Sequence, residues 1–300
     1  MSGSFSAINL SELAAPAIVE PLSFEQIFDA MLADLQARDA TFTALVESDP
    51  AYKILEVCAY RELLLRARIN DACYAVMLAY ATGTDLDQIG ANLGVVRLLI
   101  DEGDPDAIPP VDPTYESDDD FRRRIQLSFE GYTTAGSEGS YVFHGLGADG
   151  DVKDIAAVSP TPGNVTVYVL ARSGDGTAGS ALLAKVSAAL NADQVRPLTD
   201  HVTVQSATIT NYAITAELVM FPGPDAEVVR AAALAAAQKY AEATAKIGYD
   251  VTLSGIYAAL HQPGVQRVNL TAPAANIVLG DGQASHCTGI TLTIAAATDV

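Results

Sequence analysis

The sequence has 300 residues, of which 50% are hydrophobic and 18% are charged, a composition that argues against an intrinsically disordered chain. It carries 17 Lys and Arg against 37 Asp and Glu, a net charge of −20 at pH 7, which argues against direct binding to nucleic acid or to an anionic membrane. The longest apolar run, residues 72–81, is about half the length of a membrane span, and the first twenty residues lack the Lys or Arg of a secretory signal.

The first hundred residues are predicted to be helical. Ser23 followed by Gln26 is a capping-box pattern, and apolar residues at helical spacing come after it. Asp49 before Pro50 is the pattern of an N-cap followed by a proline at the first helical position. A helix of about 30 residues is predicted from there, and Gly83 is expected to end it in the left-handed conformation.

The apolar positions of this long helix cover more than one stripe of its surface. Because a single small domain cannot cover so much apolar helix from every side, two interpretations stay open. In the first interpretation, the helix forms the core of a large bundle. In the second, it packs against helices of another chain. After it, Thr84 with Asp87 is predicted to cap a short helix that Gly94 closes.

Residues 101–120 mark a break in composition, because they contain four prolines and nine acidic residues. The regular ligand spacing and central Gly of a calcium loop are missing, so the segment is interpreted as a solvated linker. At its end, Ser117 is expected to cap a helix whose first turn holds Asp118, Asp119 and Asp120. Carboxylates at that position offset the positive end of the helix dipole.

From about residue 137 the hydrophobic period indicates short strands that alternate with helices. The turn at residues 160–164 is expected to join two strands, near 152–158 and 165–170. The remaining predicted elements are helices at 181–190, up to about 245, and at 254–261, and strands near 201–204, 212–220, 265–270 and 290–294.

The predicted fold class is α+β, with an N-terminal long-helix bundle segment followed by two small α+β modules that have mixed or antiparallel sheets. The predicted domains are residues 1–100 (helical), 101–120 (acidic, proline-rich linker), 121–206 (first module) and 207–300 (second module). A weak internal repeat supports the pair of modules: Ser137, Tyr141, Val152, Ile155 and Pro160 match the order of Ser254, Tyr257, Val265, Val268 and Pro273.

Side chains with catalytic or metal-binding potential are scattered along the chain. None of the four histidines lies at metal-ligand spacing from another His, from a Cys or from a carboxylate. The glycine-rich stretch at 173–177 precedes a helix but lacks the lysine and the glycine spacing of phosphate-binding loops, so it is interpreted as a plain connection. We expect no catalytic, cofactor-binding or metal-binding residue, no cofactor and no enzymatic activity.

The three cysteines, Cys58, Cys73 and Cys287, are an odd set without CxxC spacing. They are interpreted as buried thiols of a protein that resides in a reducing compartment. We therefore expect the chain to be synthesised, and to assemble, in a cytoplasm.

Several short fragments occur in a fixed order along the chain. They are TGTDLDQIG at 82–90 with Gly94 and Arg97 after it, ESDDDFR at 116–122, Ala135-Gly136-Ser137 ahead of Tyr141, Val152 with Asp154, and PGNV at 162–165. In order and spacing they resemble baseplate J-like proteins of contractile-tailed bacteriophages and related phage-tail-like bacteriocins. The motif residues, to which we assign structural roles, are Gly83, Asp85, Leu86, Asp87, Gly90, Arg97, Asp118, Phe121, Arg122, Gly136, Pro162 and Gly163.

The resemblance implies a structural wedge subunit of a tail baseplate. Its N-terminal helices would join a bundle with partner wedge proteins, namely a second copy of the chain and one smaller protein. Its C-terminal modules would contact neighbouring copies in a ring around the tail hub and sheath, with no nucleic-acid or membrane contact. The ring would widen on contraction, with residues 101–120 as a candidate hinge. The protein would reside in the tail baseplate of a virion, or in a bacteriocin particle, after synthesis in the bacterial host cytoplasm.

Two other classes of function stay open. A receptor-binding module of the tail predicts exposed aromatic side chains and binding to host surface material. A tail-associated cell-wall hydrolase predicts a cleft with paired carboxylates or a metal. An assembly subunit predicts instead that residues 20–95 depend on partners for their order.

Overall fold

The computed structural model describes residues 8–42, 46–133, 137–223 and 225–295. These residues divide into two compact units, one that ends at Val96 and one that begins at Arg97. Helices and small sheets are both present, which confirms the predicted α+β class. Among the described helices, none is long and apolar enough to cross a membrane.

The first unit is helical and has a small core. Its elements are α1 (Phe24–Arg38), α2 (Pro50–Ala75), α3 (Gly83–Asn92) and short 3₁₀ turns at Leu10–Glu12 and Ala40–Phe42. Ile27 and Phe28 of α1 are buried against Ala59 of α2, and partly buried apolar side chains of both helices surround them. Only one side of α2 contributes to this core, since most of its other side chains are exposed.

The two predicted helix starts in this unit are confirmed. The Ser23 hydroxyl accepts a hydrogen bond from the Gln26 N–H at 3.2 Å. The Asp49 carboxylate accepts one from the Ala51 N–H at 2.8 Å, and Pro50 occupies the first helical position. Each cap satisfies a backbone donor that the first turn of a helix leaves unpaired.

The predicted end of the long helix at Gly83 is wrong. α2 ends at Ala75, because residues 77–81 form turns that bring the Tyr80 ring onto Tyr74, with ring centroids 4.9 Å apart. The Tyr80 hydroxyl also donates to the Leu13 carbonyl at 2.8 Å. Gly83 does adopt the left-handed conformation, with φ of 52°, but as the first residue of α3.

The limits of α3 agree with the sequence at one end only. Thr82, not Thr84, is the N-cap, and its side chain makes no capping hydrogen bond, so the predicted cap is wrong. The predicted end is confirmed. Gly94 has φ of 70°, and the next N–H, that of Val95, donates back to the Gly90 carbonyl at 2.9 Å. The left-handed conformation of Gly94 lets the N–H groups after the helix bond to carbonyls of its last turn.

The second unit begins with a hairpin in the segment predicted as a linker. β1 (Leu99–Asp101) and β2 (Thr114–Tyr115) pair antiparallel, and Asp104 and Val111 exchange backbone hydrogen bonds of 2.8 and 2.9 Å beyond them. We call residues 99–115 the hairpin arm. Its paired backbone favours an ordered arm over the hinge expected from the sequence.

Helix α4 (Asp118–Leu127) follows the hairpin arm and continues into a 3₁₀ turn at Ser128–Tyr132. The Ser117 hydroxyl accepts a hydrogen bond from the Asp120 N–H at 3.2 Å, which confirms the predicted cap. With Phe121 and Ile125 fully buried, one face of α4 belongs to the core.

The first α+β module packs helices on a mixed three-stranded sheet. Its elements are α5 (Glu138–Leu146), β3 (Val152–Thr161), β4 (Asn164–Ala171), α6 (Ser180–Leu190) and β5 (His201–Ser206). β3 and β4 are antiparallel, whereas β4 and β5 are parallel. The turn between β3 and β4 holds Pro162 and Gly163, and the glycine has the positive φ of 80° that the second central position of such a Pro-Gly turn requires.

The second module also has a mixed three-stranded sheet, in which the central strand and its parallel neighbour are longer than those of the first module. Its elements are β6 (Thr208–Met220), α7 (Ala226–Thr244), α8 (Leu253–Leu260), β7 (Val265–Ala272) and β8 (Gln283–Ile294). β6 and β8 both begin earlier than predicted, because they pair in parallel from Thr208 opposite Gln283 to Leu218 opposite Ile294. In β8 the pairing therefore extends through mainly small and polar residues, 283–289, most of which have weak strand propensity by themselves.

The two sheets share a spatial plan but not a chain order. Each central strand, β4 or β6, has an antiparallel neighbour on one edge and a parallel neighbour on the other. The antiparallel neighbour follows a helix in both modules, α5 in the first and α8 in the second. This helix–strand pair precedes the central strand in the first module and follows it in the second. The two copies of the internal repeat are therefore equivalent helix–strand pairs, α5–β3 and α8–β7. They are joined to the central strand in opposite chain order.

Candidate functional site

Motif residues meet at the base of the hairpin arm, with Arg97 at the centre. Its guanidinium donates to the Glu116 carbonyl at 2.9 Å and pairs with the Asp118 carboxylate at 2.8 Å. The same group lies over the Phe121 ring, 4.7 Å from its centroid. These contacts fasten the start of the arm to the start of α4, since one arginine can use several donors and its planar face at once.

A buried ion pair lies next to Arg97. The Glu116 side chain is 3% exposed, accepts a hydrogen bond from the Leu98 N–H at 2.9 Å, and pairs with the buried guanidinium of Arg124. Burial lowers the pKa of Arg124, and the Glu116 carboxylate opposes that shift. A buried charge of either sign is tolerated only with such a partner.

Asp154 joins α4 to both α+β modules. It lies on β3, is 4% exposed, and accepts from the Arg123 guanidinium at 2.8 Å. Its other oxygen accepts from the Ile247 N–H of the second module at 3.0 Å. One carboxylate therefore links three parts of the second unit.

Apolar contacts and a second ion pair reinforce these links. Leu170 of the first module packs in one cluster with Ala207, Ile247 and Ala284. Arg172, which follows β4, pairs with Asp120 of α4 at 2.9 Å. We infer that the apolar cluster and the Asp154–Ile247 hydrogen bond hold the two modules in one arrangement, while the ion pairs hold α4 against the first module.

The other motif residues have structural positions of their own. In α3, Leu86 and Gly90 are buried, Asp85 is exposed in the first turn and Asp87 is half-buried. Arg122 on α4 pairs with Asp119 at 2.7 Å. Pro162 and Gly163 form the exposed turn between β3 and β4, and Gly136 lies outside the described residues.

Glu116, Arg124 and Asp154 were missing from the predicted set of site residues. A usable signal existed for Arg124, because it lies three residues after Phe121 and one before Ile125, on the buried side of an amphipathic helix. The two carboxylates lie in the motif fragments, at the start of ESDDDFR and in Val152 with Asp154, but nothing in the sequence distinguished them from the other acidic residues as buried ones.

Helix α2 carries a long apolar surface that its own unit leaves open. We call this surface the α2 face. It consists of Ile54, Val57, Cys58, Leu65 and Ile69, all exposed and all on a side of the helix different from that of Ala59. A shallow groove lined by Phe24, Tyr60 and Leu64 borders it. The expectation of buried thiols is wrong for Cys58, since the core of this unit is too small to cover the side on which it lies.

The described residues show little that resembles catalytic chemistry. Within residues 8–42, 46–133, 137–223 and 225–295, no three His, Cys, Asp or Glu side chains cluster to hold a metal ion. The glycine-rich loop after β4 is held at its first residue by Asp151, which precedes β3, since Ser173 donates to this carboxylate through both its N–H and its hydroxyl, at 2.8 and 2.9 Å. This bonding agrees with the interpretation as a connecting loop.

Tyr141 provides a test of the packing in the first module. Its ring is buried, and its hydroxyl donates to the Asp200 carboxylate at 2.7 Å. Burial, and then this hydrogen bond, raise the pKa of the Tyr141 hydroxyl. Tyr141→Phe is expected to reduce the free energy of unfolding by about 1.5–3 kcal/mol, the range for a hydrogen bond to a charged group.

The control for Tyr141 is Tyr257→Phe, at a more exposed ring on α8, which is expected to change stability by less than about 0.5 kcal/mol. Urea unfolding followed by far-UV circular dichroism measures both variants. Equal losses would show that the Tyr141–Asp200 hydrogen bond contributes nothing specific.

Comparison with known proteins matches most of this chain. Three family models match it: the Baseplate J-like N-terminal domain over residues 47–104, the Baseplate J-like central domain over residues 133–206, and the Baseplate J-like protein C-terminal domain over residues 212–293. "Baseplate protein J" of Escherichia phage P2 is 50% identical over 288 residues, which cover 94% of this chain and 95% of that protein.

A solved structure gives a weaker match. It is the cryo-EM structure of the anti-feeding prophage (AFP) baseplate, 6-fold symmetrised, with a TM-score of 0.40 and 16% identity. The alignment covers 59% of this chain and 44% of that one, so this chain spans less than half of its length. The family follows from the sequence matches. With half of its residues identical to a baseplate protein J over nearly its whole length, this chain belongs to the baseplate J-like family.

Proposed function

We propose that the chain is a structural wedge subunit of a contractile-tail baseplate, which acts by assembling with other proteins and not by catalysis. Membership of the baseplate J-like family supports the baseplate role. The observation that carries the assembly role is the α2 face, because a 26-residue helix with apolar side chains on its open side needs a partner to cover them.

The α2 face is large enough to anchor a stable contact. From Ile54 to Ile69 it runs for roughly 22 Å along the helix at a rise of 1.5 Å per residue. Each Leu or Ile side chain that becomes fully buried stabilises an interface by about 1.5–3 kcal/mol before the cost of association. Partner wedge helices, from a second copy of this chain and from a smaller protein, are the proposed occupants.

The two α+β modules are proposed to contact neighbouring copies in a ring around the tail hub and sheath. Their mutual fixation through Asp154 and the Leu170 cluster supports this role, since a ring segment must keep its shape. The proposed location is the tail baseplate of a virion or of a bacteriocin particle, after synthesis in the bacterial host cytoplasm. A receptor-binding module and, less favoured, a cell-wall hydrolase are the alternatives.

The test of the α2 face is Leu65→Gln combined with Ile69→Gln. Both side chains are more than half exposed, so the variant is expected to keep the stability of the isolated chain. It is expected to weaken the complex with coexpressed neighbouring baseplate proteins at least tenfold, about 1.4 kcal/mol, which is typical of central interface residues. Native mass spectrometry and analytical ultracentrifugation measure the complex.

The matched control is Val228→Gln, at an exposed aliphatic position on α7 in the other unit. It is expected to leave the helix-mediated contact unchanged. Complexes of equal strength for all three proteins would refute the α2 face as the wedge contact. A wild-type chain that binds no baseplate protein, and instead turns over cell wall or binds host surface material, would refute the assembly role.

A further inference from the structure

The hairpin arm ends in an apolar tip that the described residues leave uncovered. Ile108 is 100% exposed and Val111 is about half exposed, with Pro109 and Pro110 between them. Single exposed aliphatic residues are common on protein surfaces. Here two of them lie together with two exposed prolines at the end of a paired hairpin, so four consecutive apolar residues face solvent.

The arm is stiff. In addition to the backbone bonds between Asp104 and Val111, two carboxylates bond to nearby N–H groups. The Asp101 carboxylate accepts a hydrogen bond from the Gly103 N–H at 2.7 Å, and the Asp104 carboxylate accepts one from the Asp106 N–H at 2.9 Å. Four prolines fix φ along the segment. Such an arm is already ordered before it binds, so it loses little conformational entropy on docking.

The base of the arm is fixed to its own unit. The Leu98 N–H donates to the Glu116 side chain, and the Glu116 N–H donates to the Leu98 carbonyl at 3.0 Å. Gly150 lies so close to the arm that an added Cβ would be 2.1 Å from the Leu99 carbonyl oxygen. The arm therefore presents its tip at a set position on the second unit.

The arm is also strongly acidic. Its five acidic residues are Asp101, Glu102, Asp104, Asp106 and Asp112. All five are exposed, and none of them forms an ion pair with a described residue. No Lys or Arg occurs between residues 98 and 121. The carboxylates repel each other in the isolated chain, and a basic surface beside the tip would relieve that repulsion.

A second copy of this chain is a poor match for the arm. Many described cations of the second unit are already paired with their own carboxylates: Arg97, Arg122, Arg123, Arg124, Arg172, Lys185 and Arg230. With a net charge of −20, another copy would repel the arm. Nucleic acid and anionic membranes are excluded for the same reason.

We propose that the hairpin arm docks its apolar tip into an apolar recess, rimmed by Lys and Arg, on a different protein of the baseplate. This inference rests on the proposed baseplate function, but it concerns a contact separate from the α2 face. The tip supplies the buried apolar contact, and the acidic flanks supply orientation and the rate of encounter.

The experiment compares Ile108→Gln with Leu198→Gln in the full chain. Both residues are almost completely exposed aliphatic side chains in connecting segments of the second unit, so the substitutions are chemically matched. Each variant is coexpressed with the neighbouring baseplate proteins, and the affinity of the purified complex is measured at several NaCl concentrations. Hydrogen exchange of the amides of residues 104–111 is compared in the free chain and in the complex.

Ile108→Gln is expected to weaken the complex about tenfold, and Leu198→Gln less than twofold. Binding is expected to weaken with salt, and less so after Glu102→Gln, Asp106→Asn and Asp112→Asn are combined. Cross-linking of the complex, read by mass spectrometry, locates the site that the arm contacts. Protection of residues 104–111 in the complex, together with a cross-link from the arm to a site that contains Lys and Arg, supports the proposal.

Unchanged exchange of residues 104–111, unchanged affinity of Ile108→Gln, or a cross-link to another copy of this chain would overturn the docking arm. A wild-type chain that joins no baseplate protein would overturn the proposed function instead. A complex that forms normally with an unprotected arm would leave the baseplate function in place and remove only the arm contact.

Discussion

Glu116→Ala is expected to destabilise the second unit by about 3–5 kcal/mol, the largest single effect that we expect in this protein. The substitution removes the partner of the buried Arg124 guanidinium and the acceptor of the Leu98 N–H. Desolvation of a guanidinium is tolerated only while a carboxylate faces it, so Arg124 would be left as an uncompensated buried charge.

The control for Glu116 is Asp119→Ala, which removes the carboxylate of an ion pair whose acidic side chain is 94% exposed. It is expected to cost less than about 1 kcal/mol, because solvent screens such pairs. Since the chain has no Trp, far-UV circular dichroism follows urea unfolding of both variants.

A third variant separates charge from packing. Glu116→Leu combined with Arg124→Met replaces the ion pair by apolar groups and is expected to regain most of the stability that Glu116→Ala loses. If Glu116→Ala were no more destabilising than Asp119→Ala, the buried Glu116–Arg124 ion pair would not be what holds the arm against α4.

Asp154→Ala is expected to cost about 3 kcal/mol and to loosen the two α+β modules from each other. The carboxylate is buried, accepts from Ile247 in the second module, and pairs with Arg123 of α4. Its removal leaves a buried N–H without its acceptor, while Arg123, which is partly exposed, can turn to solvent. The expected loss is therefore somewhat smaller than for Glu116.

Asp154→Asn tests which contact matters more. The amide oxygen can still accept from the Ile247 N–H, but the negative charge is gone. If the link between modules dominates, Asp154→Asn keeps the slow hydrogen exchange of the Ile247 amide, and Asp154→Ala speeds it at least tenfold. The exposed Asp193→Ala serves as control and is expected to change neither exchange nor stability.

Rapid exchange of the Ile247 amide in the wild-type chain would contradict a fixed arrangement of the modules. With the expected slow exchange, the modules move as one body. Rearrangement of the ring that we propose would then take place at contacts between chains and not between β3 and the α7–α8 connection.

Local features of the fold were determined by the sequence alone. Ser23, Asp49 and Ser117 cap helices as predicted, because a capping side chain and the N–H that it satisfies lie two or three residues apart. Gly94 and Gly163 occupy left-handed positions for an equally local reason, the absence of a Cβ. The order of the motif fragments was enough to indicate the family, which the sequence matches confirmed.

Other features were decided by tertiary structure, because their partners are remote in sequence. α2 ends at Ala75 where a later tyrosine turns back onto it, and β8 begins at Gln283 because β6 offers a pairing edge. Asp154 binds an N–H that lies 93 residues further along the chain. Which carboxylates among so many are buried depends on such partners, since desolvation and hydrogen bonding arise only when distant segments meet.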